Sequence, residues 1–240
     1  MAYNLFMKTT IQDKTKLVDS VFSKVYKKYD LMNDIMSLGI HRIWKKKLMD
    51  WMNPQLNESL IDVASGTGDI AKLFSNKNNN SAQITCVEPN NEMYLMGKSN
   101  LKSLENIKWH KAKAEELPFK NDTYDFYTIS YGIRNVSDIN LSLKEALRVL
   151  KPGGRFMCLE FSKIDNEMIN LLYQKYSKVI PIFGKYIVGS SEPYNYLIKS
   201  INEFYTQNEL ANLIKKNGFS KIEYRNLSNG ISAIHSGWKI

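Results

Sequence analysis

The stretch Leu60-Ile61-Asp62-Val63-Ala64-Ser65-Gly66-Thr67-Gly68-Asp69 constrains this chain more than any other. An apolar run that stops at two glycines reads as a buried strand, and a helical pattern follows from about Asp69 to Phe74. Glycines at such a turn let the backbone fold back tightly and approach a ligand. The next apolar run, Ile84-Thr85-Cys86-Val87, ends at Glu88, 20 residues beyond Gly68. A carboxylate there can accept hydrogen bonds from both hydroxyls of a ribose. Three readings fit: an ordinary strand–helix turn, a dinucleotide loop (Gly66-x-Gly68-x-x-Ala71), or a loop for S-adenosylmethionine.

The pattern repeats downstream. A helix is expected over Asn91–Leu101, a short strand over Ile107–His110, an alternating strand over Tyr124–Ser130 and a helix over Asn140–Leu150. Lys151-Pro152-Gly153-Gly154 reads as a helix stop and turn, followed by a strand from Arg155 to Phe161. A last helix spans 206–217. Strands Phe219–Leu227 and Ile231–His235 then meet around Asn229-Gly230, a hairpin signal that makes this pair antiparallel. Strands alternating with helices predict an α/β, Rossmann-like, mostly parallel seven-stranded sheet with a C-terminal antiparallel strand. Residues 1–55 read as a helical N-terminal extension and 163–204 as a helical cap insertion, within one domain spanning 1–240. The cap carries Tyr173, Tyr176, Tyr194 and Tyr196.

Composition narrows the partners. The net charge is +9, and the two cysteines, Cys86 and Cys158, give no disulfide framework. Residues 1–50 carry +5, residues 51–160 carry 0 and residues 161–240 carry +4. The middle of the chain is therefore neutral, and an anionic partner would meet the flanks. No apolar run approaches the roughly 20 residues of a membrane span. Scattered histidines and cysteines show no metal-ligand spacing, so no metal is expected.

Asp62, just before the glycine loop, suits a ligand carrying an ammonium and a sulfonium better than a pyrophosphate. That favours S-adenosylmethionine over a dinucleotide. Three blocks then resemble the ubiquinone/menaquinone biosynthesis C-methyltransferase family, within the class I S-adenosylmethionine-dependent methyltransferases. They are Tyr29-Asp30-Leu31-Met32-Asn33 through His41-Arg42-Ile43-Trp44-Lys45, Tyr131-Gly132-Ile133-Arg134-Asn135-Val136, and Arg148 through Gly154 followed by Leu159-Glu160-Phe161-Ser162. The resemblance runs from about Val21 to Ile240. It implies methyl transfer to a ring carbon of a polyprenylated benzoquinol or of demethylmenaquinol.

The loop and its resemblance place Asp62, Ala64, Gly66, Thr67, Gly68, Asp69, Glu88, Lys113, Ala114 and Ser130 on the donor. The segment Lys113–Phe119 is the counterpart of one that lines the adenine pocket in this class. Three positions depart from the family's usual residues: Glu88 stands for Asp, Lys113 for Asn and Ser65 for Gly. Arg134 is expected to steady a phenolate, Asn135 to orient the hydroxyl or a water, and His41 to be a candidate base near neutral pH. Tyr29, Met32, Asn33, Trp44 and Tyr131 are substrate-pocket candidates. The alternatives are packing roles for these residues, another small phenol as substrate, or RNA. Against RNA, the Asn/Asp-Pro-Pro-Tyr/Phe motif of amino-directed nucleic-acid methyltransferases is absent after Ser130. The insoluble prenyl tail implies work at an anionic membrane surface, peripheral to the inner membrane on the cytoplasmic side, with no transit peptide in view. A quinone-biosynthesis complex and a homodimer are further partners considered.

Overall fold

The structure is a computed structural model, and it describes residues 18–21, 23, 31, 33–34, 37–164, 171, 173, 176 and 192–240. Tyr29 and Met32 lie outside the described residues, as does most of the expected cap.

The strands are β1 (Leu60–Val63), β2 (Ile84–Val87), β3 (Ile107–His110), β4 (Tyr124–Ser130), β5 (Leu150–Phe161), β6 (Ser220–Leu227) and β7 (Ser232–Trp238). They form one seven-stranded sheet in the order β3-β2-β1-β4-β5-β7-β6. β1 to β5 pair in parallel, and β7 runs antiparallel to both β5 and β6. The expected fold class is therefore observed.

Helices α1 (His41–Met52), α2 (Asp69–Lys77), α3 (Asn91–Asn100), α4 (Ile139–Val149), α5 (Glu192–Glu203) and α6 (Gln207–Lys216) cover the sheet. Strand residues alternate between the two faces, because successive side chains of a strand point to opposite sides. Leu60, Phe126, Met157 and Leu159 pack with Trp44, Leu48, Phe74, Tyr194 and Leu197 on one face. Ile61, Tyr127, Phe156 and Cys158 pack with Leu143, Ala146, Leu210 and Ile214 on the other. All four residues of β1 are buried, as a central parallel strand requires.

The helices start where short polar side chains satisfy free backbone N–H groups. Asn90 accepts from Met93 N at 3.0 Å, and Asp138 accepts from Leu141 N at 3.1 Å. Thr206 and Glu209 form a reciprocal capping box at α6.

Two expectations are corrected. Lys151–Gly154 belongs to β5 instead of breaking off as a separate turn. There the pairing of β4 with β5 shifts register between Tyr124 and Phe126, and Gly153 (φ +81°) takes the left-handed conformation. Gly153 N donates to Lys239 O and Lys239 N to Gly154 O, so the chain's end holds this irregular start in the sheet. At the other end, β7 extends to Trp238, because it is flanked by partners on both sides. The expected hairpin turn contains a short 3-10 turn, Ser228–Gly230, with Asn229 (φ +56°) and Gly230 (φ +91°) left-handed.

Candidate active site

The strand order reverses between β1 and β4, which opens a crevice beyond their carboxyl ends. A cavity of about 340 Å³ occupies it. Val63, Ala64, Gly66, Glu88, Lys113, Ala114, Ser130, Tyr131 and Asn135 line it, together with Pro89, Asn90, Met93, Glu115, Gly132, Val136 and Ser137. Val18 and Asp19 also reach it from the N-terminal side.

The glycine loop holds its shape through a few close fits. Ala64 (φ +53°), Gly66 (φ +56°) and Gly68 (φ +91°) are all left-handed. Ser65, standing where a glycine is common in the resembled family, ties the loop to β2. Its Oγ donates to Asp62 O at 2.6 Å and accepts from Val87 N at 3.1 Å. A Cβ on Gly132 would sit 2.5 Å from Ala64 Cβ. A Cβ on Gly97 of α3 would sit 2.8 Å from Gly66 O and 2.2 Å from Trp109. Gly97 thus lets α3 press against the loop, a role the sequence did not signal.

Two buried carboxylates flank the loop. Glu88 Oε2 accepts from Gly66 N at 2.9 Å and Oε1 from Asn90 N at 3.0 Å. Burial pushes its pKa up to about 7, against the two backbone donors. Asp62 is 1% exposed. Its Oδ1 accepts from Thr128 Oγ1 at 2.7 Å, while Oδ2 is buried with no hydrogen-bond partner among the described residues. Burial pushes Asp62 up to about 7 as well, opposed by Thr128 and by the charge of Lys45. Ser130 Oγ is a second buried oxygen without a partner among the described residues. Orphaned acceptors beside a cavity fit a ligand bearing hydroxyls and a cationic group.

The other wall follows β4. Tyr131 takes φ +57°, and its carbonyl accepts from Arg134 Nη1 at 2.8 Å. Arg134 is 8% exposed and is not a free cation: Nη1 also meets Glu160 Oε1 at 2.5 Å. Phe161 N donates to the same oxygen at 2.8 Å. Burial raises the Glu160 pKa, and Arg134 offsets part of that. Neither charge lines the cavity, whereas Asn135 does.

Several expected site residues lie elsewhere. Asp62, Thr67, Gly68 and Asp69 are outside the cavity lining, Asp62 adjoining it through its chain neighbour Val63. The Asp69 carboxylate is taken by Lys45 Nζ at 2.6 Å, which helps hold its pKa below the usual range despite burial. His41 is also outside the lining. Its Nδ1 is 2.9 Å from Ser37 Oγ, and burial with Lys45 nearby pulls its pKa down to about 4. Trp44 is a core residue that packs edge-on to Phe161 and donates from Nε1 to Ser228 Oγ at 3.0 Å. Asn33, half-buried, uses its carbonyl to accept from Ser37 Oγ at 2.7 Å.

Sequence reasoning missed the residues that carry the adenine-side segment. Glu115 Oε1 accepts from Ser137 N and Asp138 N. Arg148 donates to the carbonyls of Leu117 and Phe119 and pairs with Glu145. Arg148 belongs to a motif block, but nothing in its spacing tells which backbone it holds.

Several solved S-adenosylmethionine-dependent methyltransferases share this architecture. A Thermotoga maritima enzyme described as a possible histamine N-methyltransferase matches with a TM-score of 0.67 at 20% identity, over 93% of this chain and 100% of that one. The phosphoethanolamine N-methyltransferase 2 of Haemonchus contortus, solved with S-adenosyl-L-methionine, matches with a TM-score of 0.59 at 12% identity, over 82% of this chain and 52% of that one. These likenesses establish the fold class. The profile of the ubiE/COQ5 methyltransferase family matches residues 8–239, and the chain belongs to that family. The ubiquinone/menaquinone biosynthesis C-methyltransferase of Rickettsia bellii is 48% identical, over 98% of this chain and 97% of its own length. That of Brucella suis is 44% identical, over 95% and 87%.

Proposed function

We propose that this protein methylates a ring carbon of a polyprenylated benzoquinol or of demethylmenaquinol, with S-adenosylmethionine as donor and S-adenosylhomocysteine as product. The observation that carries the reading is one cavity with two chemically distinct walls. Glu88 and Gly66 line it from the end of β2 and the glycine loop, and Ser130, Tyr131 and Asn135 line it from the end of β4 and the turn beyond.

When bound, the donor supplies an electrophilic methyl group on a sulfonium. Each Glu88 oxygen already accepts one backbone N–H and keeps a lone pair for a ribose hydroxyl. Asp62 Oδ2 and Ser130 Oγ offer the remaining acceptors. Lys113 contributes backbone, since its carbonyl and Glu116 close a small bridge and its side chain is exposed. Ala114, 5% exposed, gives apolar surface to the same wall.

On the substrate side, Asn135 holds the quinol oxygen and Tyr131 walls the ring. A donor at that oxygen favours the phenolate, formed as the hydroxyl proton passes to water. Its charge spreads to the ring carbon that attacks the methyl, the carbon–sulfur bond breaks to leave the thioether, and the ring C–H proton then passes to water. Arg134 acts from behind: it anchors the Tyr131 carbonyl while Glu160 balances its charge. His41 does not serve as the base, because it is outside the cavity and only weakly basic. The wall's main work is geometric, holding ring carbon and methyl in line at contact distance.

The prenyl tail calls for a lipid surface. No helix among the described residues is long and apolar enough to cross a membrane. The outer face of α1 carries Arg42, Lys46 and Lys47 around exposed Ile43, next to exposed Leu38. Cations around apolar tips suit an anionic bilayer surface. Retention of the protein by anionic liposomes, and its loss with L38S/I43S, would support this.

The deciding experiment offers isotopically labelled donor with both prenylated quinols and analyses the product for C- against O-methylation. Label on a ring carbon of either quinol is the expected result. Label on oxygen, or only on RNA, would overturn the proposal.

A further inference from the structure

The wall beyond β4 contains a hydrogen bond that the donor loop does not use. Tyr196 of α5 places its hydroxyl 2.9 Å from Asn135 Oδ1. α5 is anchored by Tyr194, Leu197 and Ile201, which form one buried stripe at helical spacing. Position 196 lies at the edge of that stripe, so its ring is held while its tip stays near the cavity wall.

The identity of the Asn135 amide atoms follows from chemistry. The amide lies 3.4 Å from the Tyr131 carbonyl, which can only accept. The nitrogen must therefore face Tyr131, and the oxygen must face Tyr196. The Tyr196 hydroxyl is then the donor. Arg134 already occupies the Tyr131 carbonyl at a shorter distance, so it draws only weakly on the Asn135 N–H groups.

We propose that Tyr196 is a positioning residue: its hydroxyl fixes the Asn135 amide so that this side chain presents an N–H, and not its oxygen, to the substrate oxygen in the cavity. This rests on the quinol reading of the site. Orientation matters because the two ends of the amide have opposite effects. An N–H steadies a developing phenolate, whereas a carbonyl oxygen at the same place repels it. Among the described residues, Tyr196 donates to no other acceptor and Asn135 Oδ1 accepts from no other donor.

The charged and titratable groups acting on Tyr196 are Arg134, Glu160 and Glu203. Burial raises the Tyr196 pKa, so the hydroxyl stays protonated and able to donate near neutral pH. Burial raises the pKa of Tyr173 too, to about 12, and the charge of Arg134 opposes that rise.

The test uses the full chain with Y196F, N135A, N135D and the double variant Y196F/N135A. Rates are measured with prenylated quinol across pH, donor affinity by calorimetry, and the Asn135 side-chain amide by nitrogen-15 NMR. Y196F should lower kcat about tenfold, a fraction of the loss expected when a transition-state donor is removed outright. It should leave donor affinity unchanged, move the acid limb of the kcat profile upward, and shift the Asn135 amide resonance. It should add nothing to N135A. N135D keeps an acceptor for Tyr196 but has no N–H, so it should be as slow as N135A. Wild-type kcat and pH profile in Y196F, a further loss in the double variant, or an unmoved amide resonance would each overturn the proposal. If the wild-type protein methylates neither quinol, the activity reading fails, and the amide resonance alone still decides whether Tyr196 orients Asn135.

Discussion

Binding of the methyl donor should be tied to proton release. Asp62 and Glu88 are both buried, and burial pushes each pKa up to about 7. Between about pH 4 and 7 the folded, unliganded protein therefore binds more protons at these sites than the unfolded chain does. The stability that these two sites contribute is fully present below the ordinary carboxylate range and is lost as pH rises through about 7. The cost of forcing ionisation is about 4 kcal/mol for Asp62 and about 3 kcal/mol for Glu88, at 1.36 kcal/mol per pKa unit. A ligand that supplies a cation and hydroxyl donors favours the ionised carboxylates and offsets this cost. Donor affinity should then rise with pH, by up to about tenfold per unit for each carboxylate below about pH 7, and level off above about pH 8. Calorimetry near pH 7 in buffers of different ionisation enthalpy should register about half a proton released per carboxylate. The donor's thermal shift should be larger at about pH 8 than at about pH 6 for the same reason. E88Q, which preserves size but cannot ionise, should remove part of the proton release. D62N should remove most of the rest. A binding enthalpy independent of buffer, with affinity flat from about pH 6 to 8, would refute the claim that these carboxylates are held partly protonated before the donor binds.

Other outcomes follow from the packing and the ion pairs. E160A leaves a buried guanidinium without its partner and should cost about 3–5 kcal/mol, lowering Tm by about 6–20 °C in a chain of this size. R134M/E160L should recover much of that loss in a thermal melt; a double variant as unstable as the sum of the singles would argue against pairing. G97A drives a methyl into Trp109 and the Gly66 carbonyl, and should cost about 1–3 kcal/mol while weakening donor affinity in calorimetry. K45M removes the cation that faces His41, so the His41 midpoint, about 4 in the wild type, should rise when followed by proton NMR.

Most of the sheet was readable from residues that do a single local job. The spans of β2, β3 and β4 coincide with their apolar or alternating runs, since burial on one or both faces leaves a direct trace in residue type. Lys151–Gly154 misled because Pro and Gly are strong local stop signals. The pairing that draws this segment into β5 comes from Lys239, far along the chain. The site divided the same way. Gly66 and Glu88 were legible as a loop and an acid at the right interval, Ser130 and Asn135 through the family resemblance, and all four line one cavity. Asp69 was placed at the site by its position in the loop, Trp44 by its motif block and His41 by its near-neutral titration, but their partners Lys45, Ser228 and Ser37 take their polar groups elsewhere.

The sequence by itself determined the α/β order, the donor loop and the acid that answers it, because each is written in short intervals where backbone conformation and burial select residue type directly. It could not determine which charges are free. Arg134 looks like an available cation until β5 brings Glu160 against it, and Tyr196 looks like one more cap tyrosine until α5 brings its hydroxyl to Asn135. Those facts belong to the tertiary structure, since they depend on which side chains meet across distant segments in a low-dielectric interior. There a hydrogen bond or an opposite charge decides what a group can do.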